Sequence, residues 1–438
     1  MHSILKDNHK FKLLDIGTYF FRIGLFFLPS ALSISILFLL ISSIISVIYQ
    51  KKSFFERRIN RSLIAASLLM ISSSLIHLIN FNNSVSESLI KAKWDPTLSF
   101  IGVLNWIPLF WLFITLQEYL RDNKARENAA KCFIVGVVPV LISGLGQSFF
   151  NWHGPNIFLN GLIIWYQKEL TNPPFELSGL FSNPNYTGAW LNIVFPFSIG
   201  YLIKNEHISF KKIFICFLIF TIVFSIVLTN SRAAWGSLIG SFLFMYWNKN
   251  LRIYTFIPVI FLIIILLCLY PIFGEPLQLF FRNLVPENIW MEFISSNFTD
   301  RPLRIDIWTE SFEIIKKNPI FGSGAATFQI LSTQNLNTPT SHSHNLPLEL
   351  ALQYGIPSML IIVGNVVYLT YVSFKKIFIS NLNTHKKFIY ERAWVTSILM
   401  LILIHLFDIQ YYDGRISIAS WILLAGLKQI IDYNPNKQ

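Results

Sequence analysis

The sequence predicts an all-α polytopic membrane protein of about twelve transmembrane helices, with one large external loop that contains an amphipathic helix. Three observations predict it. Hydrophobic residues make up 53% of the 438 residues and charged residues only 13%, with a mean hydropathy of +0.52. A soluble fold cannot hide that much apolar surface behind so few charges, since ordinary soluble chains carry roughly 25% charged residues. The apolar residues fall in continuous runs long enough for helices to cross a membrane, without the period-2 alternation of barrel strands. The basic residues fall in the short breaks between those runs.

A helix rises 1.5 Å per residue, so a hydrocarbon core of ~30 Å needs about 20 apolar residues. That rule places spans at 13–29, 31–49, 62–79, 100–120, 131–149 and 185–203 in the first half. In the second half it places them at 211–228, 233–248, 253–270, 346–372, 391–409 and 413–431. The first pair is split only at Pro29–Ser30, and the last only near "DIQYYDG". No small-residue cleavage pattern follows "MHSILKDNHKFK", so the first run reads as an uncleaved span and not a removed signal peptide.

With the N-terminus inside, the internal segments hold 24 of the 35 Lys and Arg residues and the external ones 10. That bias is the positive-inside pattern of a multi-pass inner-membrane protein. It also accounts for the net charge of +12 without a basic arm or face, which argues against a nucleic-acid partner and for membrane lipids. Cys132, Cys216 and Cys268 all lie inside apolar runs with no CxxC, leaving little room for a thiolate metal site or a disulfide framework. The expected organisation is a single transmembrane domain, 1–438, with an external loop at 271–345 too poor in apolar residues to fold alone.

Within that loop "RPLRIDIWTESFEIIKKNP" reads as a helix stopped by Pro319. Ile305, Trp308, Phe312 and Ile315 form an apolar stripe, with Asp306, Glu310, Glu313 and Lys317 away from it. The stripe is expected to rest on the bilayer surface or on the transmembrane bundle.

The polar residues that could carry chemistry fall on the predicted external side. Arg232 opens the helix "SRAAWGSLIGSF" and Arg304 opens the loop helix. Each either snorkels or packs, or holds an anion at a helix N-terminus, where an arginine fork suits phosphate oxygens. His342 and His344 lie in "TSHSHNLPLELALQYGIPS". No third ligand with metal spacing stands near them in the sequence, so no metal is expected. His344 precedes a helix that Pro347 can begin, and the positive end of that helix favours a neutral ring able to accept a proton. For His342 a loop-surface role is favoured over catalysis. Glu349 is expected inside the bundle, paired or facing a cavity. Asn183, Pro184 and Asn185 form either a turn and helix start or a set of amides for sugar and diphosphate oxygens. Asp408 and Asp413, flanking "IQYY", are weaker candidates for acceptor or sugar contact. No Walker A or GxGxxG motif is present, so an external active site would need a donor activated before it crossed the membrane.

At these residues the chain resembles the O-antigen ligase/polymerase superfamily of bacterial envelope glycan enzymes, the WaaL, Wzy and PglL-like proteins. The resemblance rests on "FSNPN", "LTNSRAAW", "RIDIWTESFEIIKKNPIFGSG" and the His344–Asn345 pair followed by Gly355 and Ser358. Ser358 stands where the family more often has Gly, Thr or Tyr. The resemblance covers about 181–358 and implies a metal-independent, inverting transfer, needing no cofactor, of a glycan from undecaprenyl diphosphate to an external acceptor such as lipid A-core. It implies that His344 is the catalytic base, that Arg232 and Arg304 bind the diphosphate, and that Asn345 lies at the substrate. A repeat-unit polymerase and a protein O-oligosaccharyltransferase share this architecture. A reading of another class is a membrane transporter of a small anion.

Overall fold

The computed structural model describes residues 2–50, 58–79, 94–170, 176–205, 207, 209–247, 256–272, 274–285, 304–332, 340–380 and 387–433. Of residues 2–12, 256–259, 261–262 and 265 it describes the backbone alone. Parts of the expected 271–345 loop, 286–303 and 333–339, lie outside the described residues.

The chain is almost entirely helical. It opens with α1 (His2–Phe27), α2 (Leu32–Gln50) and α3 (Arg58–Ile79). A broken rod follows, α4 (Thr97–Val103) and α5 (Ile107–Leu116) continued by a 3₁₀ turn, and then α6 (Asn123–Phe150). The short strands β1 (Asn156–Phe158) and β2 (Ile163–Trp165) form an antiparallel hairpin, with Ile157 opposite Ile164. Then come α7 (Pro184–Lys204), α8 (Phe210–Leu228), α9 (Arg232–Met245), α10 (Phe256–Leu269) and α11 (Glu275–Leu284). The last third holds α12 (Arg304–Lys317), α13 (Phe328–Ser332), α14 (Leu346–Tyr354), α15 (Ile356–Phe374), α16 (Ile389–Phe407) and α17 (Gly414–Asp432).

Among the described residues nine helices are long and apolar enough to cross a membrane. They coincide with the expected spans from 31–49 to 211–228 and with the last three. The remaining three positions are helical but do not join the nine. Of these, α9 is 14 residues, about 21 Å, short of a ~30 Å core, and α10 is described over Phe256–Leu269 only. The expected span 346–372 is divided. Gly355 (φ 87°) separates α14 from α15, and the crossing segment is Ile356–Ile379.

The chain divides into two compact units, one of residues 1–136, 302–376 and 402–438, the other of 137–301 and 377–401. In the first unit α12 packs on α14 through Ile307, Ile314, Ile315, Phe328, Ala351 and Leu352. This corrects the expected stripe. The buried face is Ile307, Glu310, Ser311, Ile314 and Ile315, while Ile305 and Phe312 are 62% and 52% exposed. Apolar residues lie on both sides of this helix, so apolarity alone does not mark the packing face. Glu310, expected on the outer side, is buried because it shares the i, i+3, i+4 row with Ile307 and Ile314.

The break at Gly355 has a local cause. Backbone from the "NPIFGSG" turn runs against it, with Ile356 N–H donating to Pro319 O (2.8 Å) and Ser323 N–H to Leu352 O (2.6 Å). A Cβ at residue 355 would lie 1.8 Å from Ile320 O, and one at Gly322 (φ 70°) would lie 2.6 Å from Leu352 O. Only glycine admits both the positive φ and this approach.

In the second unit the connection from α6 to α7 is tied down by amides. Gln147 donates to Lys168 O and the Ser178 hydroxyl and accepts the Ser178 and Gly179 N–H groups. Gln167 bonds Ser143. The buried end of the connection, 177–181, is thereby held and delivers Asn183 to the start of α7.

Candidate active site

Two loops of the first unit meet here. Residues 340–345 lead into α14, where Asn345 is the N-cap: its Oδ1 accepts the Leu348 N–H (3.1 Å) and Pro347 occupies the first turn. The other end of the same amide donates to Leu406 O (3.0 Å), at the end of α16. Asn345 thus clips the histidine loop to the segment that carries Asp408. That segment is fixed from its far side: Tyr411 stacks on Trp106 at 4.2 Å, donates to Asn105 O and accepts from Trp421 Nε1.

The clip brings His344 Nδ1 to 2.8 Å from Asp408 Oδ1. Asp408 also accepts the Ile409 N–H and a bond from Gln410 Nε2 (each 3.0 Å). Burial works against its ionisation, but the His344 hydrogen bond and the neighbouring His344, His342 and Arg304 charges outweigh it and hold the carboxyl below its ordinary range. An ionised carboxylate only accepts, so the proton between the pair belongs to His344 Nδ1. His344 Nε2 then keeps its lone pair and can take a proton.

His342 lies against this pair, its ring centroid 4.1 Å from that of His344 at 63°. Its Nδ1 accepts the His344 backbone N–H at 3.2 Å. Arg304, first residue of α12, is near enough for its charge to bear on both His342 and Asp408. Four sequence candidates, His342, His344, Asp408 and Arg304, are therefore brought together.

Asp408 also corrects the sequence expectation about ligands. His342, His344 and Asp408 each offer an atom within 4.8 Å of the others, so the third group missing from the local sequence is supplied by the fold. An ion held by both Nδ1 atoms would have to replace the His344–Asp408 bond and the backbone bond to His342.

Other candidates are used by the fold itself. Glu349 is buried, accepting the Ser343 N–H (2.9 Å) and Gln353 Nε2 (2.7 Å), and burial raises its pKa. Asp413 caps α17 through the Arg415 N–H and makes a two-pronged pair with the Arg415 guanidinium, Nε to Oδ1 at 2.9 Å. In the second unit Asn183 caps α7, its Oδ1 accepting the Asn185 N–H at 2.8 Å, which is the turn-and-helix-start reading. Asn185 lies half-buried in the first turn of α7. Arg232 is exposed at the first position of α9, after Ser231. The sequence around it is explained by packing: Asn192 of α7 donates to Ala234 O (3.1 Å), and a Cβ on Gly188 would lie 2.7 Å from Ala234 Cβ. Glycine at 188 lets α7 approach the turn that presents Arg232.

Gln410, which steadies Asp408, was missed. Its signal in the sequence was an amide two residues after an acid in a polar break between spans.

Residues 217–363 match the Wzy_C family model, O-antigen ligase. The matched stretch is about a third of the chain and contains Arg232, Arg304, His342, His344, Asn345 and Glu349. Asn183, Asn185, Asp408 and Asp413 lie outside it. No curated protein matches the chain. A stretch similar to an O-antigen ligase domain thus lies within a polytopic, almost entirely helical protein.

Proposed function

We propose that the protein is a glycan transferase of the O-antigen ligase type. It moves a glycan from undecaprenyl diphosphate to an acceptor such as lipid A-core, on the periplasmic face of the inner membrane, with inversion and without a metal. The observation that carries this reading is the His344–Asp408 pair beside Arg304, with the histidine and the arginine both inside the matched stretch.

In this reaction the acceptor hydroxyl oxygen attacks the anomeric carbon and forms the new C–O bond. His344 Nε2 takes the hydroxyl proton, and Asp408 holds the ring and stabilises the imidazolium that results. The bond to the diphosphate breaks with its electron pair on the leaving oxygen. Arg304 neutralises that charge, a contribution of roughly 3 kcal/mol for a well-placed donor. The energy is stored in the donor, so no nucleotide site is needed.

The test is transfer of glycan from undecaprenyl diphosphate in vesicles reconstituted with the purified protein. Transfer by the wild type and loss of turnover in folded His344→Ala support the proposal. Movement of a small anion by the wild type, with no cleavage of the lipid-linked donor, overturns it in favour of transport.

A further inference from the structure

His344 holds a backbone φ of 51°, the left-handed region that a residue with a Cβ seldom occupies. Its N–H, in the peptide that precedes this turn, is accepted by His342 Nδ1 at 3.2 Å. A ring nitrogen that accepts an N–H carries no hydrogen of its own, so neutral His342 bears its proton on Nε2. The neighbouring ring has the opposite tautomer, because His344 Nδ1 donates to Asp408.

We propose that His342 is a positioning residue for His344: by accepting the backbone N–H it fixes the peptide from which the base departs, and Asp408 then aims the ring. This rests on the reading of His344 as base. Backbone and side chain of His344 are thus held separately, by a nitrogen two residues back and by a carboxylate from another loop. The groups facing His342 are His344 in its own loop, Asp408 from the α16–α17 connection and Arg304 from α12; Glu349 of α14 bears on His344. Burial, His344 and Arg304 together outweigh Asp408 and push the His342 pKa down to about 4, so near neutral pH the ring adds no charge beside the base.

The experiment compares His342→Ala with His342→Asn in reconstituted vesicles. Asparagine can accept an N–H two residues on, as in an Asx-turn, but lacks the ring. His342→Ala is expected to lose about 10²-fold in kcat, the effect of a small misplacement of a catalytic group, with donor and acceptor KM within about twofold. His342→Asn is expected to recover kcat to within about threefold, with the acid limb of the pH–rate profile still a single ionisation. Thermal melting in detergent establishes that both variants are folded.

Wild-type kcat in His342→Ala overturns the assignment. A loss carried by KM overturns it in favour of direct substrate contact. A folded His342→Asn as slow as the alanine variant shows that the ring, and not the acceptor, matters. Loss of wild-type turnover in EDTA, restored by zinc, replaces positioning with metal ligation. His344→Ala run in parallel separates the two proposals: if it stays active the base reading fails, whereas an inactive His344→Ala beside a fully active His342→Ala removes only the positioning role.

Discussion

His344 Nδ1 lies 2.8 Å from the Asp408 carboxylate, although 64 residues separate them in the chain. The carboxylate decides which nitrogen of the ring is free, and it supplies a counter-charge that the helix end after His344 cannot.

The pair acts as a unit, so its two members are expected to fail unequally. His344→Ala removes the base, and a general base typically contributes ~10²–10⁴-fold in rate. Asp408→Asn leaves the imidazole but loses the charge and the fixed tautomer, and should cost about tenfold or more in kcat while leaving KM little changed. A double variant no slower than His344→Ala alone is the signature of a shared role; additive losses in the initial rates would separate the residues.

Arg304→Lys keeps the charge but not the planar fork. We expect it to stay within about tenfold of Arg304→Ala in kcat and far from wild type, because a point charge does not make the two-pronged contact with a diphosphate. Restoration of most of the activity by lysine would show that charge alone suffices.

Gly355 joins α14 to α15 at φ 87°, ψ 162°, a region open essentially to glycine at a cost of about 1–3 kcal/mol for other residues. Gly355→Ala adds to that strain a Cβ placed 1.8 Å from Ile320 O. The variant should melt at lower temperature in detergent and lose activity with it, since the same joint supports the helix that follows His344. An unchanged melting temperature would show that the turn at 319–324 gives way freely.

Acidification should loosen the site through His342. Its folded-state pKa is depressed to about 4 from 6.5, so between those values the unfolded chain binds a proton that the folded one refuses. Stability from this group is complete above about pH 6.5 and is lost as the pH falls toward 4. Asp408, also depressed, adds a loss of the same sign below 3.8. Glu349, raised by burial, works the other way, losing stability as the pH rises above 4.5. The difference between wild type and His342→Asn isolates the histidine: from pH 7 to 5 the wild type should lose more in melting temperature. Equal losses would exclude His342 as the source.

Excess EDTA should leave transfer intact, because an arginine such as Arg304 can neutralise a diphosphate and both Nδ1 atoms of the histidine pair already hold hydrogen bonds. Turnover abolished by chelation and restored by one divalent ion would turn His342, His344 and Asp408 into ligands.

Composition and spacing determined the class of the molecule. Apolar runs of about 20 residues suit crossing helices, and among the described residues nine helices long and apolar enough to cross stand where such runs lie. Asn183, Pro184 and Pro319 likewise marked a helix start and a helix stop by local chemistry that needs no distant partner. The sequence also marked Gly355, through the resemblance, but not the reason for it, which is the backbone of Ile320 pressed against it. Tertiary structure decided the rest. The face of α12 that packs was set by its fit to Phe328, Ala351 and Leu352, contacts that come from other elements and leave no mark in the spacing of α12 itself. Asp413 and Asp408 look alike on paper; Arg415 holds the first in an ion pair, while the clip of Asn345 on Leu406 brings the second to His344. Helix and span are properties of neighbouring residues, whereas a hydrogen-bonded pair 64 residues apart exists only once two loops have been folded onto each other.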